Sequence, residues 1–440
     1  HAAAMKLARR ATATEGAPRV APVDVDSAVL NKQAAKVETD HGIKADKVQS
    51  YRNLLERSDI DAVALATPNH QHAIQTIWAC EAGKDVYVEK PVCHTIWEGR
   101  QMLAAAKKYN RIVQPGFQNR SDTGLNEAFA WIKAGNIGDI TMVRGLCYKS
   151  RQSIGKRSSP LYPPSSVNYD EWLGPAAEQP LYREKFHYDW HWSWNTGNGD
   201  FGNQGPHELD LMRWILDEPD HPTSVASYGA RFGWNDAGET PNMQITSFDW
   251  GGVPALFEVR DLWVRPDVNA RANYKGNRVG VIVTCEGGEF RGGRGGGIIY
   301  YDGKKRGEQF QGDGGFDHMP AFIRGVRSRR ESDLACTLET GFRSSSLAHW
   351  GNLPIQAGKP ASAAKVDGIM NGDDHLLETY ERFSKHLDAW KIDRDVERWT
   401  AGPKLQIDAA RVRFTGAGAD TANKFLHRKD RQGYEIPHLT

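Results

Sequence analysis

Between residues 19 and 114 the chain repeats one pattern: a short apolar run, a turn, then a stretch with helical periodicity. Residues 19–26 read as a strand ending in acids, with Pro22 as a blemish in it. Residues 27–41 follow as a helix, with Asp26 or Ser27 as N-cap and Gly42 as its stop. Residues 61–66 form a second apolar strand that ends at Thr67-Pro68-Asn69-His70, and a helix runs from about His72 to Ala82. Residues 86–88 form a buried strand ending in Glu89-Lys90-Pro91, followed by a helix over about 95–108 and a short strand at 111–114. Strand and helix in alternation predict an α/β fold with a doubly wound parallel sheet.

From residue 140 the pattern changes. Runs at 140–148, 225–228, 243–250, 254–259, 279–285 and 298–301 read as strands of a large, mostly antiparallel sheet with helices on one face. The other face is expected to be open and to pair with a second copy of the chain, as a dimer or tetramer. Residues 316–327, 338–349 and 374–389 read as helices returning to the first domain, and 425–440 as an irregular tail. The predicted domains are a Rossmann-type domain over 1–138 and an α/β domain over 139–440. Residues 1–8 read as the middle of an amphipathic helix without a cap, so a first strand and its glycine-rich loop are expected before residue 1.

Composition excludes several function classes. A formal charge of +1 over 440 residues favours neither nucleic acid nor an anionic membrane. No apolar run approaches the roughly 18 residues needed to cross a bilayer. The five cysteines are scattered, with no C-x-x-C pair, so no metal site and no disulfide framework is expected.

Chemistry concentrates at two places. Ligands of open parallel sheets bind beyond the carboxyl ends of the strands, where Lys90 stands. An ammonium there can hold a substrate hydroxyl and steady the oxyanion left when its proton departs. Downstream, Pro206 suits the first position of a helix, which puts His207 in the first turn. The helix dipole lowers an imidazole pKa there and suits it to general-base work. Asn203 faces the same ligand, and Asp210 lies three residues on along the same helix face. Asp24 either holds an adenosine ribose, which favours NAD over NADP by repelling a 2′-phosphate, or joins Asp26 in capping the next helix. The aromatic run Phe186, Tyr188, Trp190, Trp192 and Trp194, with His187 and His191 interleaved, is either core packing or a wall for sugar rings. A literal G-x-G-x-x-G at 197–202 is not a dinucleotide fingerprint, because no strand precedes it and no acid follows at the right spacing.

Residues 23–26, Ala66-Thr67-Pro68-Asn69-His70-Gln71-His72-Ala73, Glu89-Lys90-Pro91, 202–214 and 318–329 together resemble the glucose–fructose oxidoreductase / inositol dehydrogenase / MocA family. The resemblance implies a Rossmann domain binding NAD(P), a second domain with an open sheet, and hydride chemistry on a sugar, cyclitol or glycoside. It implies Lys90 as catalytic lysine and His207 as base or proton relay. Thr67, Pro68, Asn69, His72, Glu89 and Gln118 are then expected around the cofactor, and Tyr148, His187, Trp190, Trp192 and Asn203 around the substrate. Many members carry Asp four residues before the histidine, where this chain has Asn203, which cannot take a proton. The expected function is NAD-dependent oxidation of a secondary hydroxyl, at C3, of a sugar or glycoside. The alternatives are a glycosidase working by transient oxidation and elimination, with Tyr148, Tyr182, His187 or His191 as second acid/base, and a non-catalytic sugar or dinucleotide binder. The tail from Trp390 resembles a bacterial branch exported by a twin-arginine signal, so the expected location is periplasmic if such a signal precedes residue 1, and cytoplasmic otherwise.

Overall fold

The computed structural model describes residues 20–396 and 398–440; the predicted opening helix lies outside them. Three parallel strands, β1 (Ala62–Leu65), β2 (Asp85–Val88) and β3 (Val113–Pro115), form the first sheet in that order. β2 is buried at every residue, as a central strand covered on both faces must be. The connecting helices carry the expected end signals. Asp26 caps the Ser27–His41 helix by accepting from the Ala28 N–H, and Gly42 closes it at φ 66°. Thr95 and Glu98 form a reciprocal capping box on the Ile96–Lys108 helix.

The stretch expected as a strand before Ser27 makes a single parallel bridge, Val23 to Val48. Pro22 has no N–H to give. Its carbonyl still accepts from Val48 N at 3.1 Å, and the Val20 carbonyl accepts from Asp46 N at 3.1 Å.

The second sheet has twelve strands. They are β4 (Ile140–Cys147), β5 (Ser224–Ala230), β6 (Met243–Asp249) and β7 (Ala255–Arg260), with β8 (Trp263–Arg265) and β9 (Val268–Arg271) set apart as a separate hairpin. The sheet continues through β10 (Val279–Cys285), β11 (Gly288–Gly293), β12 (Gly296–Tyr301) and β13 (Lys305–Gln311). Short strands β14 (Lys359–Ala361), β15 (Trp399–Ala401), β16 (Leu405–Asp408) and β17 (Arg413–Thr415) complete it. β4 and β7 pair in parallel, and the other ladders are antiparallel.

Alternation along the strands sends Val143, Cys147 and Phe257 to the face covered by the Pro206–Ile215 and Leu338–Ala357 helices. Their apolar cluster is continuous with Val86 and Val88 of the first sheet, so both sheets share one core. The opposite face departs from the expectation of an open surface. Over β4 to β7 it is covered by the chain's own Ala363–Met370 and Asp374–Ala389 helices, through Val366, Met370, Phe383 and Leu387 on Met142, Tyr228 and Leu256. Beside that contact Arg144 and Arg382 both reach the fully buried carboxylate of Glu258. β13, at one edge, stays mostly exposed.

Candidate active site

The three parallel strands end on one edge. Thr67 to His72 follow β1, Glu89 and Lys90 follow β2, and Gly116 to Gln118 follow β3. The short Gly199–Asn203 helix and the start of the Pro206–Ile215 helix meet this edge from the second sheet. The contact is direct: Lys90 Nζ donates to the backbone carbonyl of Asn203 at 2.5 Å. Pro206 holds the first helical position, as expected, and His207 falls in the first turn.

His207 is half-buried. Its Nδ1 is sealed from solvent with no partner, which leaves Nε2 as the nitrogen available to a ligand. Burial, reinforced by the charges of Lys90, Arg294, His318 and Lys149, pushes its pKa well below the imidazole range. The ring is therefore neutral at pH 7 and able to accept a proton. Burial also lowers the pKa of Lys90, while Glu89, Glu208 and Asp200 work to keep its charge. Glu208, one residue after His207, is buried and pushed up to about 8 by desolvation.

Three groups that the sequence did not single out complete the electrostatics. Asp200 is fully buried, and Arg151 grips both its oxygens at 2.6 and 2.9 Å. Burial opposes the Asp200 charge, but the guanidinium outweighs it and holds the carboxyl down at about 2. Asp200 Oδ1 also accepts from the Asn203 amide at 3.0 Å. Lys149, just past β4, adds a further cation that acts on Lys90, His207 and Glu208. The one available signal was an acid inside the 197–202 glycine run. Gly199, at φ 64°, is needed there because a Cβ would meet Thr240 at 2.9 Å.

The residues expected around a cofactor gather at the same edge, with differing freedom. Asn69 is buried, donates to Asn198 at 2.7 Å and leaves its Oδ1 without a partner. Glu89 lies flat on Gly116, where a Cβ would stand 2.9 Å from its carboxylate, and Gln118 holds it at 3.0 Å. Thr67 turns its hydroxyl to Gln75, and Pro68 precedes the Asn69 turn. His72 is engaged at both ring nitrogens, by the Pro91 and Thr67 carbonyls at 2.6 and 2.9 Å, so it ties two strand ends together. Asp26 takes the helix cap, while Asp24 accepts from Asp26 N through one oxygen and makes no other hydrogen bond among the described residues. The orphaned buried amide oxygen of Asn69, the acid Asp24 and the close approach of Glu89 to Gly116 fit a dinucleotide.

The expected substrate wall does not assemble as a unit. Strand alternation turns Tyr148 to the far sheet face, where its hydroxyl meets Glu258 and Arg382. His187 binds Asp26 at 2.9 Å, beside Asp24 rather than Lys90. The aromatic run packs rather than forming a row of rings: residues 189–192 form one 3-10 turn, Trp192 is buried under Arg231, and Trp190 packs with Trp172 and Phe186. Tyr188 projects into solvent and accepts from Arg151 at 2.9 Å. A cavity of 310 Å³ beside this loop is lined by Tyr169, Tyr182, Arg183 and Asp189, and neither Lys90 nor His207 contributes to its wall. Asp210 turns away from His207 to Arg120 and Ser344.

Residues 14–117 match the NAD-binding Rossmann fold of an oxidoreductase family, and residues 130–240 match the same family's C-terminal alpha/beta domain. The chain belongs to the Gfo/Idh/MocA oxidoreductase family. NAD is accordingly the cofactor of its Rossmann domain. Among Gfo/Idh/MocA relatives, levoglucosan dehydrogenase of Pseudarthrobacter phenanthrenivorans is 36% identical over 173 residues, covering 39% of this chain and 37% of the relative. Inositol 2-dehydrogenase of Salmonella typhimurium is 30% identical over 213 residues, covering 48% and 51%. The chain thus spans about half or less of the length of the curated relatives it matches. Two solved structures share the fold: a levoglucosan dehydrogenase complexed with NADH and levoglucosan (18% identity, 79% of this chain, 93% of that chain, TM-score 0.55), and WlbA dehydrogenase of Bordetella pertussis with NADH and UDP-GlcNAcA (21%, 75%, 86%, 0.53). No helix among the described residues is long and apolar enough to cross a membrane.

Proposed function

We propose that the protein is an NAD-dependent oxidoreductase that oxidises a secondary ring hydroxyl of a sugar or glycoside, C3 in the first instance. Lys90 and His207 are its catalytic pair. The observation that carries this reading is the convergence of the two at one sheet edge, with a neutral imidazole under the influence of a lysine charge. His207 Nε2 takes the hydroxyl proton, and the Lys90 ammonium steadies the alkoxide as it forms. NAD, when bound, accepts the hydride. Asn203 cannot accept a proton; its carbonyl aims Lys90 and its amide rests on Asp200. The names of the relatives, levoglucosan and inositol dehydrogenases, support a carbohydrate or cyclitol substrate.

One observation favours the oxidation–elimination glycosidase: Glu208, held near 8 beside His207, is a buried acid able to give up a proton near neutrality. Tyr148 and His187 are engaged elsewhere, on Glu258 and Asp26, while His191 holds the Tyr188 carbonyl through Nδ1 and leaves Nε2 unpartnered.

A sugar deuterated at C3 tests the proposal. Slower NADH formation from the C3-deuterated sugar supports it. An undiminished rate, with the ketone located on another carbon, overturns the C3 position, and no NADH from any sugar or cyclitol overturns the dehydrogenase.

A further inference from the structure

Behind Asn203 lies a cluster that the reaction as described does not use. A sulfur of Cys147 and one carboxylate oxygen each from Asp200 and Asp261 stand within 4.8 Å of one another, all buried. Asp261 is fully buried, and its Oδ1 accepts from the Lys149 backbone N–H at 3.2 Å. Its Oδ2 is sealed from solvent and no group donates to it.

The charges do not balance with both carboxylates ionised. Arg151 supplies one positive charge against two negative ones, and an unpaired buried charge is costly. One proton on Asp261 removes the excess and turns the orphaned oxygen into a donor. Asp200 has room to receive it. A carboxylate offers about four acceptor sites, and Arg151 and Asn203 fill three of those on Asp200.

A divalent cation is the rival occupant: it would offset the excess negative charge, and the unpartnered His191 Nε2, 3.9 Å from Asp200 Oδ1, could serve as a further ligand. The proton is the better fit. Arg151 already occupies both oxygens of Asp200, and burial pushes the Cys147 thiol well above its usual range, far from the thiolate a metal requires.

We propose that Asp261 is a positioning residue of the Lys90 site: it stays a neutral acid and donates its proton to Asp200, which fixes Asn203 and thereby the carbonyl that receives Lys90. Burial and the neighbouring Asp200 charge both act to keep Asp261 protonated. The groups facing it are Asp200, Arg151 and Cys147, with His191 approaching Asp200 from the aromatic loop.

The kinetic part of the test rests on the proposed oxidoreductase reading, whereas the spectroscopic and stability parts do not. Infrared spectra of the purified protein at pH 7 should contain a carbonyl band of a protonated carboxylic acid, shifted in D2O, that Asp261→Asn removes while the separate acid band of Glu208 stays. A proton held more tightly in the fold contributes stability at low pH that is lost as pH rises. Wild type should therefore lose stability relative to Asp261→Asn as pH rises above the unfolded carboxyl value of about 4. Asp261→Asn keeps a donor for Asp200 and should retain kcat, while Asp261→Ala should lose about tenfold or more in kcat with little change in KM. Absence of the Asp261 acid band, an Asn variant as impaired as the Ala variant, or stoichiometric zinc or manganese bound by wild type and lost in Asp261→Asn would each overturn the proposal. If Asp261→Ala does not fold, or no substrate turns over, the infrared band and the pH–stability comparison still decide it.

Discussion

Lys90 and Asn203 are joined by a 2.5 Å hydrogen bond from the lysine ammonium to the asparagine backbone carbonyl, which links the end of β2 to the segment leading into His207. The acceptor is main chain, so the side chain of residue 203 bears on the contact only by holding that carbonyl in place through Asp200, and does not make it. The identity of residue 90 does. Lys90→Ala should lower kcat by about 10²- to 10³-fold through lost alkoxide stabilisation. His207→Ala should lower it by about 10²- to 10⁴-fold through the lost base. Steady-state kinetics measure both, and fluorescence titration with NADH should show dinucleotide binding retained in each.

Glu208 sets a titration near neutrality. His207 is held neutral well below the imidazole range, so it contributes no limb between pH 6 and 8. Glu208 gains its charge as pH passes about 8, beside Lys90 and Lys149. The pH profile of kcat/KM should bend there, and Glu208→Gln should remove the bend.

Acid should unfold the protein through its paired carboxylates. Asp200 and Glu258 are both held down at about 2, against the cost of burial, by Arg151 in one case and by Arg144 and Arg382 in the other. A depressed carboxyl contributes stability that is complete above its unfolded value, about 4, and is lost as pH falls towards the folded one. Urea denaturation at stepped pH should show a steep loss below about pH 4, and Glu258→Gln should make that loss shallower.

Asp210 is structural. Its carboxylate is fully buried, gripped by Arg120 at 2.7 to 3.0 Å and by Ser344 at 2.6 Å. Asp210→Ala leaves the buried Arg120 guanidinium with the half-buried Glu218 as its remaining acid partner and should cost about 3 kcal/mol, measurable by chemical denaturation. A milder loss, with kcat reduced in its place, would return Asp210 to the active site.

Local signals in the sequence were legible because the physics behind them is local. Asp26 before Ser27, Gly42 after His41, Thr95 with Glu98, and Pro206 before His207 each satisfy backbone groups within a few residues. The alternation of strand and helix placed Lys90 at a strand end for the same reason. What escaped depends on partners far apart in the chain. Arg151 and Asp200 are 49 residues apart, and Arg382 and Glu258 are 124 apart. No periodicity announces such pairs. The aromatic run left core packing and a sugar-facing wall both open, because what decides between them is again remote: Trp192 is buried under Arg231, 39 residues on, within a 3-10 turn. Helix Asp374–Ala389 was visible as a helix, but the sheet face it covers was not.

The most direct test of the central claim follows NADH and free aglycone together. The purified protein would be given NAD and a panel of sugars, inositols and aryl glycosides, alongside its Lys90→Ala and His207→Ala variants. The account predicts NADH formation without aglycone release, abolished in both variants. Aglycone release without net NADH, or NADH formation unaffected by both substitutions, would contradict it.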